Sequence, residues 1–281
     1  MNQAQPPALR WSHMKKGAAS AAVGVNGSAT GTQAITRTLS VLAVFRDEEG
    51  DLGISEIASR IGLSASTVHR IVRALVSEGY LAQNEQTERY YLGRSSVLLG
   101  QAANRRLGLD LAQSVLERLV DETGESVNLG VRDGGEMIVV MCTESKHPLR
   151  FSQEPGSRLP VYATGMGKAT ISHSPSIDHE IDALPRPLQA LTLKTITSVA
   201  ELRRELEQTR KRGYSLDDEE AIAGVRCVAA PIVSVQGQVL AALAIQAPAV
   251  RMPRSRLKEL APLAVAAAHE IAEMMPSSHR L

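Results

Sequence analysis

The chain has 281 residues, 43% of them hydrophobic and 22% charged, and its formal net charge is +1. This composition is ordinary for a folded globular protein, and the length allows two domains with separate cores. The near-neutral charge excludes nucleic-acid binding through overall positive charge, so any such affinity must come from local clusters. No apolar run is long enough to span a bilayer, and no membrane association is expected. The two cysteines, Cys142 and Cys227, lack metal-ligand spacing and favour a reducing cytoplasm over a disulfide scaffold.

Residues 1–31 are rich in Ala, Gly, Ser, Gln and Pro and show no hydrophobic periodicity. This predicts a disordered arm, and residues 277–281 are expected to form a short tail. Arg10, Lys15 and Lys16 give the arm a means of touching DNA, although an inert arm is the favoured interpretation. No leucine-rich run follows the lysines, so no secretory signal is expected.

The segment 54–80, ISEIASRIGLSASTVHRIVRALVSEGY, predicts two helices joined by a tight turn. Ser55 is the expected N-cap of the first helix, and Gly62 is suited to end it in the left-handed conformation. Ser64 is placed to cap the second helix. Apolar residues in that helix follow the i, i+3, i+4, i+7 pattern and predict one buried stripe, namely Val68, Ile71, Val72, Leu75 and Val76.

The opposite face of the second helix carries hydroxyls, an imidazole and guanidiniums, with no carboxylate before Glu78. Such a face suits the DNA major groove, where hydroxyls and arginines contact phosphates and arginine recognises guanine edges. A solvated helix face is the simpler alternative. The candidate DNA-binding residues here are Ser64, Ser66, Thr67, His69, Arg70 and Arg73.

Residues 80–92 predict two short strands around a polar turn, the pattern of a wing that follows a recognition helix. Arg89 is the wing residue expected to meet phosphate, although Glu85 and Glu88 oppose that role. With a further helix predicted from Thr32 to Arg46, these elements form a winged helix-turn-helix domain over residues 32–93. A linker helix is expected over residues 94–107.

From Glu125 onward the hydrophobic period changes from helical to alternating. A hairpin about residues 133–135 and a strand pair about residues 236–237 predict an antiparallel sheet. Leu149–Phe151 is a candidate third strand, residues 174–194 are expected to be irregular, and Pro262 is expected to kink or restart the last helix. Antiparallel strands flanked by helices predict an α+β fold for residues 108–276.

Four stretches together resemble the IclR-type bacterial transcriptional regulators, over about residues 32–275. They are SEIASRIGLSASTVHRIVRALVSEGYL, RYYLG, LPVYATGMGKA and GYSLDDEEAIAGVRCVAAPI. The resemblance implies a winged helix-turn-helix domain, a linker helix and a GAF-like effector-binding domain. It further implies a homodimer or homotetramer that binds a palindromic operator in double-stranded DNA, as a repressor, an activator or both. A small organic effector, such as an aromatic or organic acid, would control it; no cofactor or metal is expected.

The helix predicted at Gly165 offers backbone N–H groups that favour an anionic group. Where carboxylate-binding relatives have serines on the last strand, this chain has Ala244 and Gln246. This departure favours a ligand that is larger or less polar than glyoxylate, with one acidic or amide-like group. The effector-binding residues that the resemblance implies, with Phe151 added as an apolar wall, are Phe151, Gly165, Met166, Asp217, Cys227, Ala244 and Gln246.

An enzyme is the main rival class. The motif TGMGKAT is only superficially similar to a phosphate-binding loop, which needs glycine at Tyr162 and serine or threonine at Ala169. His173 and His179 have no partners at metal-ligand spacing, and no HExxH, GxSxG or CxxC motif is present. Enzymatic activity is therefore not expected.

Two alternatives keep the regulator and change its control. In the first, Cys142 and Cys227 form a redox sensor, with Arg226 beside Cys227 as the only nearby basic group. In the second, DNA binding is independent of any ligand. A cavity between the Gly165 helix and the strands over residues 225–246 would distinguish effector control from the second alternative.

Overall fold

The computed structural model describes residues 30–46, 48 and 50–275. Within them the chain divides into two compact units, residues 30–105 and 106–275. The first helix begins at Thr30, so the last two residues of the predicted arm are helical. The rest of that arm and the predicted tail lie outside the described residues.

The first unit contains a three-helix core and a small hairpin. Its elements are α1 (Thr30–Arg46), α2 (Ile54–Ile61), α3 (Ala65–Ser77), β1 (Leu81–Gln83), β2 (Tyr90–Leu92) and most of α4 (Arg94–Leu107). The stripe predicted for α3 packs inward, since Val68, Val72 and Leu75 join the apolar core of this unit. The winged helix-turn-helix arrangement expected from the sequence is therefore present.

The turn between α2 and α3 is fixed by capping. The N-cap of α2 is Gly53, so the prediction of Ser55 was wrong: the N–H of Gly53 donates to Glu56 Oε2 at 2.8 Å and the helix begins one residue before Ser55. Gly62 ends α2 with φ of 66°, a conformation that favours glycine. Ser64 caps α3 as predicted, because its Oγ accepts from the N–H of Thr67.

The second unit is built on one six-stranded antiparallel sheet. Its elements are α5 (Leu109–Thr123), β3 (Ser126–Asp133), β4 (Glu136–Thr143), β5 (Arg158–Pro160), α6 (Gly165–Ser172), α7 (Ile177–Asp182), α8 (Val199–Arg212), β6 (Ser215–Asp218), β7 (Val225–Val233), β8 (Val239–Pro248) and α9 (Arg254–Met274). The strand order is β5-β4-β3-β8-β7-β6. The predicted α+β fold is confirmed.

Alternation along the strands gives the sheet two different faces. On β8, Leu243 and Ile245 join the core beneath α5 and α9. The intervening Ala242 and Ala244 join the core beneath α6, α7 and α8. The α6 face therefore carries small side chains in the middle of the sheet, which leaves room beside α6.

Three expectations about this unit were wrong. Leu149–Phe151 is not a strand; β5 pairs with β4 instead, while Phe151 turns its ring into the interior. Residues 174–194 include α7, whose N-cap Ser176 accepts from the N–H of His179. Helix α9 continues through Pro262 as one element, so the restart expected there as one possibility does not occur; burial of its apolar side outweighs the loss of one backbone hydrogen bond.

Among the helices that the structure describes, none combines the length and apolar character needed to cross a membrane.

Candidate DNA-binding surface and effector cavity

The outward face of α3 gathers the six helix residues predicted to contact DNA. Ser64, Ser66, His69, Arg70 and Arg73 are exposed, and Thr67 is half-buried. Ser64 Oγ lies 2.9 Å from Thr67 Oγ1 and 3.1 Å from Ser66 Oγ, which fixes these hydroxyls at the start of the helix.

The two arginines of α3 are available for a partner. Within the described residues neither Arg70 nor Arg73 makes an ion pair or a side-chain hydrogen bond. Arg73 and His69 line a concave surface between α3 and the wing, together with Gln83 and Glu88. The positive charge and the hydroxyls of α3 thus face outward, as DNA contact requires.

Arg89, the predicted wing contact, is held against α2. Its Nε donates to the carbonyl of Asp51 at 2.9 Å, and a terminal nitrogen lies 2.5 Å from Glu56 Oε2. The Arg89 guanidinium lowers the pKa of the Glu56 carboxyl through this hydrogen bond, and the N–H of Gly53 adds to the effect. Arg89 thus fastens the wing to the helices, and its hydrogen bond to Glu56 competes with a phosphate contact.

The second site lies at the start of α6. Thr164 is the N-cap, and its Oγ1 accepts from the N–H of Gly167 at 3.0 Å. Gly167 is needed for this approach, because a Cβ there would lie 2.1 Å from the carbonyl oxygen of Val161. The N–H groups of Gly165 and Met166 remain in the first turn, where helices attract anions.

A cavity adjoins this helix start, between α6, the sheet and the loop after β6. All seven predicted effector residues line it: Phe151, Gly165, Met166, Asp217, Cys227, Ala244 and Gln246. Its enclosed volume is about 30 Å³, which is room for a water or two. An organic ligand therefore needs the cavity to open.

Cross-strand pairing explains why residues distant in sequence share this cavity. Asp217 on β6 pairs with Cys227 on β7, which pairs with Gln246 on β8. Gln246 pairs in turn with Ser126 on β3. Directly opposed residues project to the same face of a sheet, so this row points toward α6.

Helix α6 approaches the row so closely that only glycine fits at its first position. A Cβ on Gly165 would lie 2.5 Å from Cys227 Sγ and 3.3 Å from the Cβ of Ala229. The carbonyl of Gly165 also accepts from Ser215 Oγ at 2.5 Å. Glycine therefore brings the amide groups of α6 next to the sheet.

Three charged side chains lie buried at the cavity: Asp217 lines it, and Lys168 and Glu220 lie behind it. Lys168 Nζ is 2.5 Å from Glu220 Oε1, and the lysine side chain has no exposed area. Asp217 Oδ1 accepts from the N–H of Glu220 at 2.7 Å and of Ala221 at 3.3 Å. Burial raises the pKa of Asp217 to about 7; Lys168 lowers it and Glu220 raises it further. Asp217 can thus be protonated near neutral pH.

The alternative of a Cys142–Cys227 disulfide sensor is wrong for this fold. The two cysteines lie on β4 and β7, with β3 and β8 between them. Three strand spacings amount to about 14 Å, whereas disulfides join Cα atoms less than about 7 Å apart. Burial also raises the pKa of both thiols, which disfavours the reactive thiolate.

Sequence reasoning missed several residues at the cavity. Gln153, Ala221 and Ile222 line it directly, and Lys168 and Glu220 lie behind it. Asn128 on β3 hydrogen-bonds to Gln153 at 2.8 Å. The pairing of Asn128 with Ala244 could have identified it, but only once the strand register was known.

Residues 103–273 match the model described as "Bacterial transcriptional regulator IclR C-terminal", and residues 34–85 match the IclR helix-turn-helix domain. The HTH-type transcriptional regulator BhcR of Paracoccus denitrificans is 34% identical over 242 residues, covering 86% of each chain. The transcriptional repressor IclR of Escherichia coli is 34% identical over 249 residues, covering 86% of this chain and 90% of that one.

Solved structures share the fold. An IclR homolog from Microbacterium hydrocarbonoxydans, complexed with 4-hydroxybenzoate, superimposes with a TM-score of 0.74. It is 24% identical, and the match covers 86% of this chain and 98% of that one. The matched families consist of transcriptional regulators rather than enzymes. With both domain models and the curated relatives in agreement, this chain belongs to the IclR family of DNA-binding bacterial transcriptional regulators.

Proposed function

We propose that the exposed face of α3 binds a palindromic operator and that a carboxylate-bearing organic effector in the α6 cavity controls this binding. The observation that carries the proposal is the cavity itself. It adjoins the N–H groups at the start of α6 and is lined by Asp217 and Gln246 among apolar residues. A few convergent polar groups in an apolar cleft are typical of small-molecule sites.

In this proposal, α3 enters the major groove with Arg70 and Arg73 contacting bases or phosphates. Ser64, Ser66 and Thr67 bind the phosphate backbone, as the first turn of a recognition helix does. His69 shares the outward face with the two arginines. Arg89 contributes from the wing after it leaves Glu56.

A homodimer would supply two recognition helices, one for each half of a palindrome. Exposed apolar side chains on two helices of the first unit support self-association. They are Ile35 and Leu39 on α1 and Val97, Leu98 and Leu99 on α4. Replacing Leu98 by glutamate is expected to shift the protein toward monomer in analytical ultracentrifugation; an unchanged mass would remove α4 from the interface.

The operator-binding role is tested by Arg70→Ala. If Arg70 contacts a base, specific binding weakens by about 1–3 kcal/mol, and discrimination falls at one base pair of each half-site. Arg60→Ala is the matched control, because Arg60 belongs to α2 and already pairs with Glu48 at 3.2 Å. Binding isotherms at fixed salt measure both variants; equal affinities for wild type and Arg70→Ala would remove Arg70 from the interface.

Effector control is tested with carboxylic acids, beginning with benzoate and 4-hydroxybenzoate. The ligand of the Microbacterium hydrocarbonoxydans homolog motivates the aromatic members. Binding is expected to raise the melting temperature and to change operator affinity. The change is limited by the ratio of the ligand's affinities for the conformations that bind the operator tightly and weakly. If no acid alters either quantity, ligand-independent DNA binding becomes the better account.

Because the proposed target of the protein is chromosomal DNA, we also propose that it is located in the cytoplasm. By analogy with its repressor relatives, we propose that it represses transcription.

A further inference from the structure

Two buried carboxamides on the α6 face of the sheet have unmatched hydrogen-bonding atoms: Gln246 lines the effector cavity, and Asn128 hydrogen-bonds to Gln153, which lines it. Gln246 is 5% exposed and Asn128 is fully buried. Within the described residues, Gln246 Nε2 and Asn128 Oδ1 have no hydrogen-bond partner. Buried polar atoms are nearly always paired, so two orphans on neighbouring strands call for a common explanation.

The strand register places the two side chains diagonally opposite each other. Gln246 pairs with Ser126, and Asn128 pairs with Ala244, so Gln246 and Asn128 lie on the same face of the β3–β8 pair. Diagonal neighbours lie within reach of one small group placed between them. On β8, Ala244 lies directly opposite Asn128 and two residues before Gln246. Its small methyl group leaves room between the two carboxamides.

The orphan atoms are chemically complementary. One is an N–H donor and the other a carbonyl acceptor, so a single hydroxyl group can accept from Gln246 and donate to Asn128. A carbonyl would satisfy only the first, and an ammonium only the second. If both amide planes are turned over together, the acceptor belongs to Gln246 and the donor to Asn128, and one hydroxyl still satisfies both.

The surrounding contacts hold one carboxamide in place and leave the other facing the cavity. Asn128 Nδ2 donates to Gln153 Oε1 at 2.8 Å, and Gln153 itself lines the cavity. Gln246 lines the cavity beside Cys227, its partner on β7. The carboxamide pair therefore lies on the face of the sheet that α6 covers, and Gln246 brings it to the cavity.

We propose that Gln246 and Asn128 form a subsite that selects effectors carrying a hydroxyl group distant from their carboxylate. This rests on the proposed effector site and deepens it: the α6 start binds the carboxylate, and the carboxamide pair binds the hydroxyl. The ligand class is hydroxycarboxylic acids, and Gln246 is its specificity-determining residue.

The test uses the full chain and matched acids that differ by one hydroxyl: benzoate with 4-hydroxybenzoate, and hexanoate with 6-hydroxyhexanoate. Titration calorimetry is expected to show that the hydroxylated member of at least one pair binds about 10-fold or more tightly than its partner. In Gln246→Met that preference is expected to disappear, so that the two members of each pair bind with about equal affinity. Asn128→Leu is expected to remove the same preference.

Stability provides a second readout. Gln246→Met removes a buried unpaired donor, so its melting temperature without ligand is expected to equal or exceed that of wild type. Gln113→Met is the control, because that surface carboxamide hydrogen-bonds to Glu117 and lies outside the cavity. It is expected to keep the hydroxyl preference.

The outcomes separate this inference from the proposed function. If carboxylates bind and change operator affinity but hydroxylation makes no difference in either pair, the carboxamide subsite is overturned and the effector site stands. A preference that survives in Gln246→Met also overturns the subsite. If no acid binds, the effector site fails and the subsite fails with it.

Discussion

The two units keep their charged groups in opposite settings. In the first unit, Arg70 and Arg73 stand on an exposed helix face without partners among the described residues. In the second unit, Asp217 lines the effector cavity, and Lys168 and Glu220 are buried behind it. Solvent screens the exposed charges, so they contribute little to folding and are free to bind a polyanion. The enclosed charges interact strongly, and their protonation depends on one another.

This difference separates function from stability in the first unit and joins them in the second. A substitution on the outer face of α3 removes a contact with a partner and leaves the core intact. A substitution near α6 alters packing, hydrogen bonding and ligand chemistry together. The comparison predicts different penalties for changing one charge in each setting.

The largest expected effect comes from Lys168→Met. This leaves Glu220 buried without its cation, and such losses typically cost about 3–5 kcal/mol of unfolding free energy. Lys194→Met is the matched control, because the half-exposed Lys194 pairs with Glu219 at 2.7 Å; its loss is expected to cost much less, since solvent screens an exposed pair. Urea denaturation measures both.

The double variant Lys168→Met, Glu220→Gln sharpens this test. Lys168→Met leaves the Glu220 carboxylate buried without a cation. Replacing that carboxylate as well is expected to recover part of the lost stability. Equal penalties for Lys168→Met and Lys194→Met would contradict the contrast between buried and exposed pairs.

The next effect concerns packing at the start of α6. In Gly165→Ala the new methyl group meets Cys227 Sγ, and relief of the overlap is expected to cost about 1–3 kcal/mol. Cys227→Ala in the same chain removes the obstructing sulfur and is expected to restore much of the loss. Gly135→Ala is the control, since a Cβ there meets no atom within 4 Å. Additive effects of the two cavity substitutions in thermal unfolding would argue against a direct clash.

The contrast also explains how much the sequence could predict. The exposed face of α3 follows from helical periodicity alone, because residues that share a helix face are close in sequence. The capping of α3 by Ser64 follows from the same local rules, whereas the start of α2 differed because Gly53 and Glu56 form the cap together.

The cavity required information that one sequence does not contain. Family resemblance identified Asp217, Cys227 and Gln246, but their pairing in one row depends on strand register. The buried Lys168–Glu220 pair joins residues 52 positions apart, and no local pattern marks either as buried. Long-range pairing likewise decided that residues 158–160, rather than 149–151, form the edge strand.

A third prediction concerns pH. With its pKa raised to about 7, Asp217 is protonated below that value, and its charge above it opposes a carboxylate ligand. Lys168 and Glu220 face it and act in opposite senses, and Cys227 beside it stays neutral. Affinity for benzoate is therefore expected to fall by up to about tenfold per pH unit above pH 7. Calorimetry between pH 6 and 8.5 measures this fall.

The same group gives a signed effect on stability. Between its unfolded pKa of 3.8 and the folded value of about 7, the folded state holds one more proton. Unfolding free energy therefore decreases as pH rises through this window and levels off above it. Asp217→Asn is expected to abolish both the fall in benzoate affinity and the fall in unfolding free energy. Asp218→Asn is the control: the pKa of Asp218 is lowered, so its carboxyl does not titrate above pH 6 and the affinity profile there is expected to stay unchanged. A flat profile in wild type would contradict this assignment.

The smallest expected effect comes from an exposed pair in the first unit. Glu56→Gln removes the carboxylate that holds Arg89, and because both side chains are more than 40% exposed, the unfolding free energy is expected to change little. The bond from Arg89 Nε to the Asp51 carbonyl remains, so the wing keeps its place.

DNA binding decides what this exposed pair does. If Arg89 meets phosphate, freeing it from Glu56 raises operator affinity, and Arg89→Ala reduces the slope of log affinity against log salt by about one. If it serves only to fasten the wing, Arg89→Ala lowers stability and leaves that slope unchanged. Operator affinities of Glu56→Gln and Arg89→Ala across a series of salt concentrations therefore distinguish the two roles. They show whether Arg89, which has a protein partner, belongs to the DNA-binding surface together with the unpaired arginines of α3.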